Sequence, residues 1–259
     1  MRIGTRTRRL AGVCAATLAA LAAGAVAGAA SSPTPLTISG NWSGYAVSGN
    51  GQSFTDVTGS WTQPKVACRL HPSSSSSFWV GLGGFAADAT GVEQIGTSAD
   101  CRDGMPVHYA WFELLPGPAV PIRVRVSPGD KIVAEVRVRG ASVNLWLTDV
   151  TTGAVYTSTR TLAQPDLSSA EWIAEAPSLC VRRCRALPLA SFGATTFTSL
   201  SATAGSHTGT ISDARWSASS IQLSPRGAGS AWAMPSELSL DGTSFTVTTA
   251  ERRRHHRHP

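Results

Sequence analysis

Carboxylates are the main side chains of this chain that could catalyse a reaction. Between residues 30 and 250 the glutamates are Glu93, Glu113, Glu135, Glu171, Glu175 and Glu237. Glu113 follows Trp111-Phe112, and Glu171 and Glu175 flank Trp172-Ile173-Ala174. A carboxyl group beside aromatic side chains is partly desolvated, which raises its pKa and suits it to general acid/base catalysis. The sequence therefore favours carboxylate chemistry, with a solvent-exposed glutamate as the alternative at each position.

Other common kinds of catalytic site have little support. The segment 30–250 lacks the GxSxG, HExxH, P-loop and dinucleotide-binding motifs, which argues against a serine or zinc hydrolase. Its histidines are only His71, His108 and His207, so a Ser-His-Asp triad has few candidates for its base. We expect neither a metal ion nor another cofactor.

The elements that must position these carboxylates are β-strands. Several segments alternate or are rich in β-branched and aromatic residues, namely 42–47, 54–61, 78–82, 107–114, 132–138, 143–150, 154–160 and 244–249. The turn signals Pro128-Gly129-Asp130, Thr152-Gly153 and Asp241-Gly242 separate some of them. This pattern predicts an all-β domain built as an antiparallel β-sandwich. The two-residue period of a strand also places Trp111 with Glu113, and Glu171 with Glu175, on common faces.

The two ends of the chain differ from its middle. Residues 1–30 combine four arginines with an Ala-rich apolar run and small residues at its end, which predicts a secretory signal peptide and an extracellular protein without a membrane anchor. Residues 251–259 are basic and His-rich and are expected to be a disordered tail. The segment 31–250 then forms one domain, expected to be a monomer. Residues 30–250 carry 14 Lys and Arg against 15 Asp and Glu, so nucleic acid is not an expected partner.

Four cysteines remain after removal of the signal, and an oxidising compartment favours two disulfides over a metal site. Three connectivities are possible. We favour Cys68 with Cys101 and Cys180 with Cys184, since the second pair closes a tight loop.

Seven segments resemble the eqolisin, or glutamic peptidase, family. They occur in the family's order between Asn41 and Glu175, although each alone is a weak signal. The segments are Asn41-Trp42-Ser43-Gly44, Thr58-Gly59-Ser60-Trp61-Thr62-Gln63-Pro64, Phe78-Trp79-Val80-Gly81-Leu82-Gly83-Gly84, Glu93-Gln94-Ile95-Gly96, Tyr109-Ala110-Trp111-Phe112-Glu113, Pro128-Gly129-Asp130 and Glu171-Trp172-Ile173-Ala174-Glu175.

The resemblance implies a concanavalin A-like, jelly-roll β-sandwich and hydrolysis of peptide bonds at acidic pH. The family's catalytic pair corresponds to Gln94 and Glu175. Glu175 would activate water as general acid/base, and the amide of Gln94 would stabilise the oxyanion. Positions that line or support the substrate cleft correspond to Trp42, Trp79 and Glu113. Trp111, two residues before Glu113, is expected to bind substrate with them. The implied partner is a polypeptide substrate.

Some residues depart from the family's pattern. Gly83, Tyr109 and Ala176 stand where acidic residues are expected, which predicts a pH optimum different from that of strongly acidophilic members.

Two other functions remain as alternatives to the peptidase. One is a non-catalytic sandwich that binds carbohydrate through Trp42, Trp79 and Trp111. The other is a glycosidase, which is disfavoured because Glu171 and Glu175 would be separated by roughly 13 Å along a strand, too far for a retaining mechanism.

Overall fold

The structure is a computed structural model that describes Met1 and residues 34–251, apart from positions 50, 70, 87–88, 181–183 and 225–230. Within the described residues there are eighteen β-strands and no helix. The strands are β1 Leu36–Ser39, β2 Trp42–Ser48, β3 Phe54–Thr62, β4 Ser77–Leu82, β5 Glu93–Arg102, β6 Met105–Leu114, β7 Val120–Ile122, β8 Lys131–Arg139, β9 Ser142–Asp149, β10 Ala154–Thr161, β11 Ser169–Glu175, β12 Ser178–Cys180, β13 Cys184–Ala186, β14 Ala194–Ala204, β15 His207–Gly209, β16 Ser217–Leu223, β17 Ala231–Pro235 and β18 Phe245–Glu251.

Strand β8 illustrates why such segments form strands. Ile132, Ala134, Val136 and Val138 are buried, and the side chains between them are exposed or half-buried. This two-residue alternation matches the pleat of a sheet that covers a core with one face.

Sixteen strands of the described chain form one hydrogen-bonded sheet, in the order β10-β9-β8-β3-β14-β18-β17-β16-β2-β11-β4-β5-β6-β7, with β1 beside β16 and β15 beside β14. Neighbours on this path are antiparallel, whereas β1 runs parallel to β16. The sheet folds back on itself, because β3 contacts β4 and β11, and β8 contacts β4 and β5, without hydrogen-bonded pairing. The predicted antiparallel β-sandwich is confirmed, with its two layers joined through β17 and β18.

The main core fills the space between the layers. Its largest fully buried side chains include Trp61, Trp172, Phe54, Phe78 and Phe197. A smaller apolar cluster lies on the opposite face of the β2–β11–β4 region and consists of Ala46, Trp79, Val92, Trp111, Ile173 and Ile221. Strand β4 is therefore buried on both faces along its whole length. This second cluster forms the base of the candidate site.

The strands predicted from the sequence are all present, with bounds that differ by one or two residues. The long strands β5, β14 and β16 were not predicted. Strand β5 reads Glu-Gln-Ile-Gly-Thr-Ser-Ala-Asp-Cys-Arg, in which small and polar residues hide the alternation, although all but the last residue are buried.

One of the two expected disulfides is confirmed. Cys68 and Cys101 are bridged, with their Cα atoms 5.4 Å apart. The side chains of Cys180 and Cys184 lie outside the described part, as do nearly all of the expected signal peptide and the tail from residue 252. In the described part, no helix is suited to crossing a membrane.

Candidate active site

Five neighbouring strands of one layer, β2, β11, β4, β5 and β6, carry a cleft on the face turned away from the main core. We call this face the cleft face. The cleft has a volume of about 700 Å³ and is lined by both apolar and polar side chains. Clefts of this size and mixed lining are typical of ligand sites.

The antiparallel register arranges the cleft face in three rows that run across these strands. The first row contains Trp42, Glu175, Ser77, Ser98 and Tyr109. The central row contains Gly44, Ile173, Trp79, Gly96 and Trp111. The third row contains Ala46, Glu171, Gly81, Gln94 and Glu113. Glu175 and Gln94 thus lie on either side of the central row, and both line the cleft.

Gly96 makes room for the indole of Trp79 at the centre of the cleft face. A Cβ atom at position 96 would lie 2.2 Å from the carbonyl oxygen of Phe78 and 2.6 Å from the Cβ of Trp79. Trp79 is therefore packed against bare backbone on the neighbouring strand, and it is fully buried. It therefore lies beneath the cleft and is not one of its lining residues, although the sequence predicted that it would bind substrate.

Glu175 is held at both carboxylate oxygens. The side-chain amide of Asn41 donates to Oε1 at 2.9 Å, and the indole N–H of Trp79 donates to Oε2 at 2.9 Å. Burial raises the pKa of Glu175 to about 7, and these two hydrogen bonds oppose that rise. The negative charge of Glu113 raises the pKa further. Glu175 is thus a carboxyl group that can exchange a proton near neutrality.

Gln94 and Glu113 form the second polar pair of the cleft. The amide Nε2 of Gln94 donates to Oε2 of Glu113 at 2.7 Å, which orients the amide. The carbonyl Oε1 of Gln94 is buried and has no hydrogen-bond partner in the described structure. Burial raises the pKa of Glu113, and the hydrogen bond from Gln94 opposes this shift. One N–H of Gln94 remains for another acceptor.

Every site residue predicted from the sequence lies on the cleft face. Trp42 packs edge-on against Trp79 with ring centroids 5.0 Å apart, and it lines the cleft together with Trp111. Trp111 is 5 % exposed, and its indole N–H has no partner among the described residues. The apolar cluster and the polar pairs therefore belong to one site.

Asn41 is a contact of Glu175 that sequence reasoning missed as a site residue. It belongs to the segment Asn41-Trp42-Ser43-Gly44, so a signal was present, but nothing in the spacing connects it with a carboxylate 134 positions away. The pairing of β2 with β11 brings the two together.

Tyr109 and Gly83 occupy two of the positions at which acidic residues were expected. Tyr109 donates its hydroxyl to Asp100 Oδ2 at 3.0 Å, and Arg102 pairs with the same carboxylate at 3.3 Å. Gly83 has a φ of +78°, and a Cβ there would lie 2.6 Å from that of Asp166. An acidic side chain at position 83 would therefore be strained and would crowd Asp166.

Two further carboxyls lie buried near the third row. Glu171 is fully buried, and neither of its oxygens has a hydrogen-bond partner in the described part of the chain. Burial raises its pKa well above the usual value. Glu93 is also fully buried; its Oε1 accepts the backbone N–H of Asp166 at 3.2 Å, and burial raises its pKa to about 8. Both groups hold their protons in the folded protein at acidic pH.

A protein-family model matches most of the chain. The model of the peptidase A4 family matches residues 40–233. The sequence comparison with curated proteins gives no match.

Several solved structures are similar to the chain. Scytalido-glutamic peptidase with a peptide-based transition-state analogue has a TM-score of 0.68 and 24% identity, over 83% of this chain and 100% of that chain. SCP-B, an eqolisin in complex with the tripeptide Ala-Ile-His, has a TM-score of 0.65 and 23% identity with the same coverage. Aspergilloglutamic peptidase from Aspergillus niger has a TM-score of 0.57 and 30% identity, over 68% of this chain and 99% of that chain.

Proposed function

The chain belongs to the peptidase A4 family, the eqolisins, and is a glutamic peptidase; from this premise we propose that Glu175 is its general acid/base and Gln94 its oxyanion stabiliser. The substrate is a polypeptide, cleaved within the chain at acidic pH. One observation carries this proposal: Glu175 and Gln94 line the same cleft, and each is held by its own hydrogen-bond partner.

Glu175 and Gln94 act in successive steps of the proposed reaction. The carboxylate of Glu175 takes a proton from a water molecule as that water attacks the scissile carbonyl carbon. As the carbonyl oxygen gains negative charge, it accepts a hydrogen bond from one N–H of Gln94, whose other N–H donates to Glu113. Glu175 then returns its proton to the leaving amine, and the C–N bond breaks.

The pKa shifts predict how the rate depends on pH. Glu175 must be ionised to act as a base, and its pKa of about 7 means that the ionised fraction falls about tenfold for each pH unit below 7. As the pH rises above about 4.5, buried Glu93 and Glu171 lower the stability of the fold, because they ionise more readily in the unfolded chain than in the folded one. We therefore propose that the rate is highest at mildly acidic pH. Protonation of Glu175 limits the rate at lower pH, and loss of protein stability limits it at higher pH.

Site-directed variants test these roles. Glu175→Gln and Gln94→Ala are compared with the parent for cleavage of a denatured protein between pH 2 and 7, with Glu237→Gln as a matched control because Glu237 is exposed. Loss of the oxyanion donor is expected to reduce kcat by about a hundredfold or more. Glu175→Gln should leave no measurable turnover, while the control retains full activity. Substantial activity in a folded Glu175→Gln variant would overturn the assignment.

Export of the enzyme is part of the proposal. Its support is the sequence of residues 1–30, which has the charged, apolar and small-residue regions of a secretory signal. The test is N-terminal sequencing of the protein recovered from the culture medium. A mature terminus near Ala30 supports export, and retention of the whole chain inside the cell refutes it.

A further inference from the structure

The carboxylate of Glu175 lies at the end of a short chain of hydrogen bonds that begins at Ser39, the last residue of β1. The hydroxyl of Ser39 donates to Oδ1 of Asn41 at 3.3 Å. The Nδ2 of Asn41 then donates to Oε1 of Glu175 at 2.9 Å. On the other side, Trp79 donates to Oε2. Both oxygens of the carboxylate are therefore bound by nitrogen donors.

The orientation of the Asn41 amide is determined by its neighbours. Ser39 Oγ accepts the backbone N–H groups of Asn41 at 3.3 Å and of Trp42 at 3.0 Å, which leaves its single O–H to donate to Asn41 Oδ1. The backbone carbonyl of Asn41 also accepts the N–H of Ala176 at 2.8 Å, which ties this turn to the residue after Glu175. Asn41 is thus placed by its backbone, and its NH₂ group is directed to the carboxylate.

These contacts have a chemical consequence for Glu175. An amide or indole N–H can donate but cannot accept, so it stabilises a carboxylate more than a protonated carboxyl group. The two donors also fix the plane of the carboxylate, while each oxygen keeps a further lone pair for a water molecule in the cleft. A carboxylate held in this way is oriented, and its pKa is lower than burial alone would make it.

The other charged or titratable groups that line the cleft are few. In the described residues they are Glu113 and Tyr109 on β6 and Arg102 on β5. Of these, Glu113 acts on Glu175 through its charge. None of them contacts Asn41 or Ser39 through a hydrogen bond within the described part of the chain. A change at Asn41 or Ser39 therefore reports on the hydrogen-bond chain and not on a neighbouring charge.

We propose that Asn41 is a positioning residue for Glu175 and that Ser39 sets the orientation of the Asn41 amide. This role rests on Glu175 being the general base. A purely structural role would be to close the turn between β1 and β2, which would affect stability but not the titration of Glu175.

The test measures the titration of Glu175 directly, by ¹³C NMR of the protein labelled in its glutamate carboxyl groups, together with the pH profile of kcat/KM. Asn41→Ala removes one charge-assisted hydrogen bond and is expected to raise the pKa of Glu175 by about one unit. The acid limb of the kcat/KM profile should move upward by the same amount. Ser39→Ala, which leaves every contact atom of Glu175 in place, should shift the titration in the same direction by less.

Asn144→Ala is the matched control, since Asn144 bonds Arg137 and Thr159 on the other layer, away from the cleft. It should leave the titration of Glu175 unchanged. If Asn41→Ala and Ser39→Ala both fold and Glu175 titrates as in the parent, the proposal is overturned. The NMR titration does not depend on turnover, so an active Glu175→Gln variant would refute the general-base assignment separately from this hydrogen-bond chain.

Discussion

Replacement of Glu93 by Gln is expected to stabilise the protein near neutral pH. Glu93 is fully buried, and one of its oxygens has no hydrogen-bond partner in the described structure. Its other oxygen accepts the backbone N–H of Asp166, a bond that the carbonyl of a glutamine can also accept. Glutamine has nearly the shape of a protonated glutamic acid but cannot ionise. The substitution therefore removes the titration and keeps the packing.

The pKa of Glu93 gives the size of the effect. Burial raises it from 4.5 to about 8 in the folded protein. Between these values the folded state keeps a proton that the unfolded state has released, so the free energy of unfolding falls as the pH rises from about 4.5 to about 8. Each pH unit in this window costs about 1.4 kcal/mol, so Glu93 alone reduces stability by roughly 3 kcal/mol between pH 4.5 and pH 7. This is a large part of the usual stability of a domain, about 5–15 kcal/mol.

Urea unfolding followed by tryptophan fluorescence at pH 4.5 and pH 7 measures this change. The parent should lose more stability between the two pH values than Glu93→Gln does, and the difference should be roughly 3 kcal/mol. Glu171 contributes a loss of the same sign, which remains in the variant. Glu237→Gln, an exposed site, should behave as the parent. Equal losses in the parent and in Glu93→Gln would refute the reasoning.

Three further predictions concern the site and its support. Glu113→Ala removes the acceptor that orients Gln94, so kcat should fall about tenfold with little change in KM. Steady-state kinetics measure this, and an unchanged kcat would exclude an orienting role. Gly96→Ala places a Cβ 2.2 Å from the carbonyl oxygen of Phe78 and should lower the free energy of unfolding by about 2 kcal/mol or more, as measured by thermal unfolding. Gly40→Ala is the control, because a Cβ at position 40 has open space. The Cys68–Cys101 disulfide closes a loop with a sequence separation of 33, so replacing both cysteines by Ser should lower the free energy of unfolding by about 4 kcal/mol. An unchanged urea midpoint would contradict this.

Many strands of the sandwich could be predicted because their side chains alternate between buried and exposed positions, as the pleat of a sheet requires. Alternation in segments such as β8 follows from one face being buried, and the turn residues at Gly129 and Gly153 mark where strands end. Strand β5 was not recognised, because both of its faces are buried and its small residues lie against aromatic ones. Periodicity reports a difference between two faces, and β5 has none.

The candidate catalytic pair was predicted from segments that resemble a family, whereas the chemical surroundings of the two residues could not be predicted. The sequence placed Glu171 and Glu175 on one face of a strand, but it did not decide whether either carboxylate is exposed or buried. The tertiary structure separates them: Glu175 lines the cleft between two donors, whereas Glu171 lies fully buried without a hydrogen-bond partner among the described residues.

The sequence by itself determined the fold class, the alternation that sorts side chains between two faces, and the candidate residues. Only the tertiary structure decided which of them meet. Asn41 and Glu175 are 134 positions apart, and Trp79 and Glu175 are 96 apart. Their contacts depend on the register of β2 and β4 against β11, and a slip of one residue would turn each side chain to the opposite face. Register is set by the packing of both layers together, so no local pattern in the chain contains it.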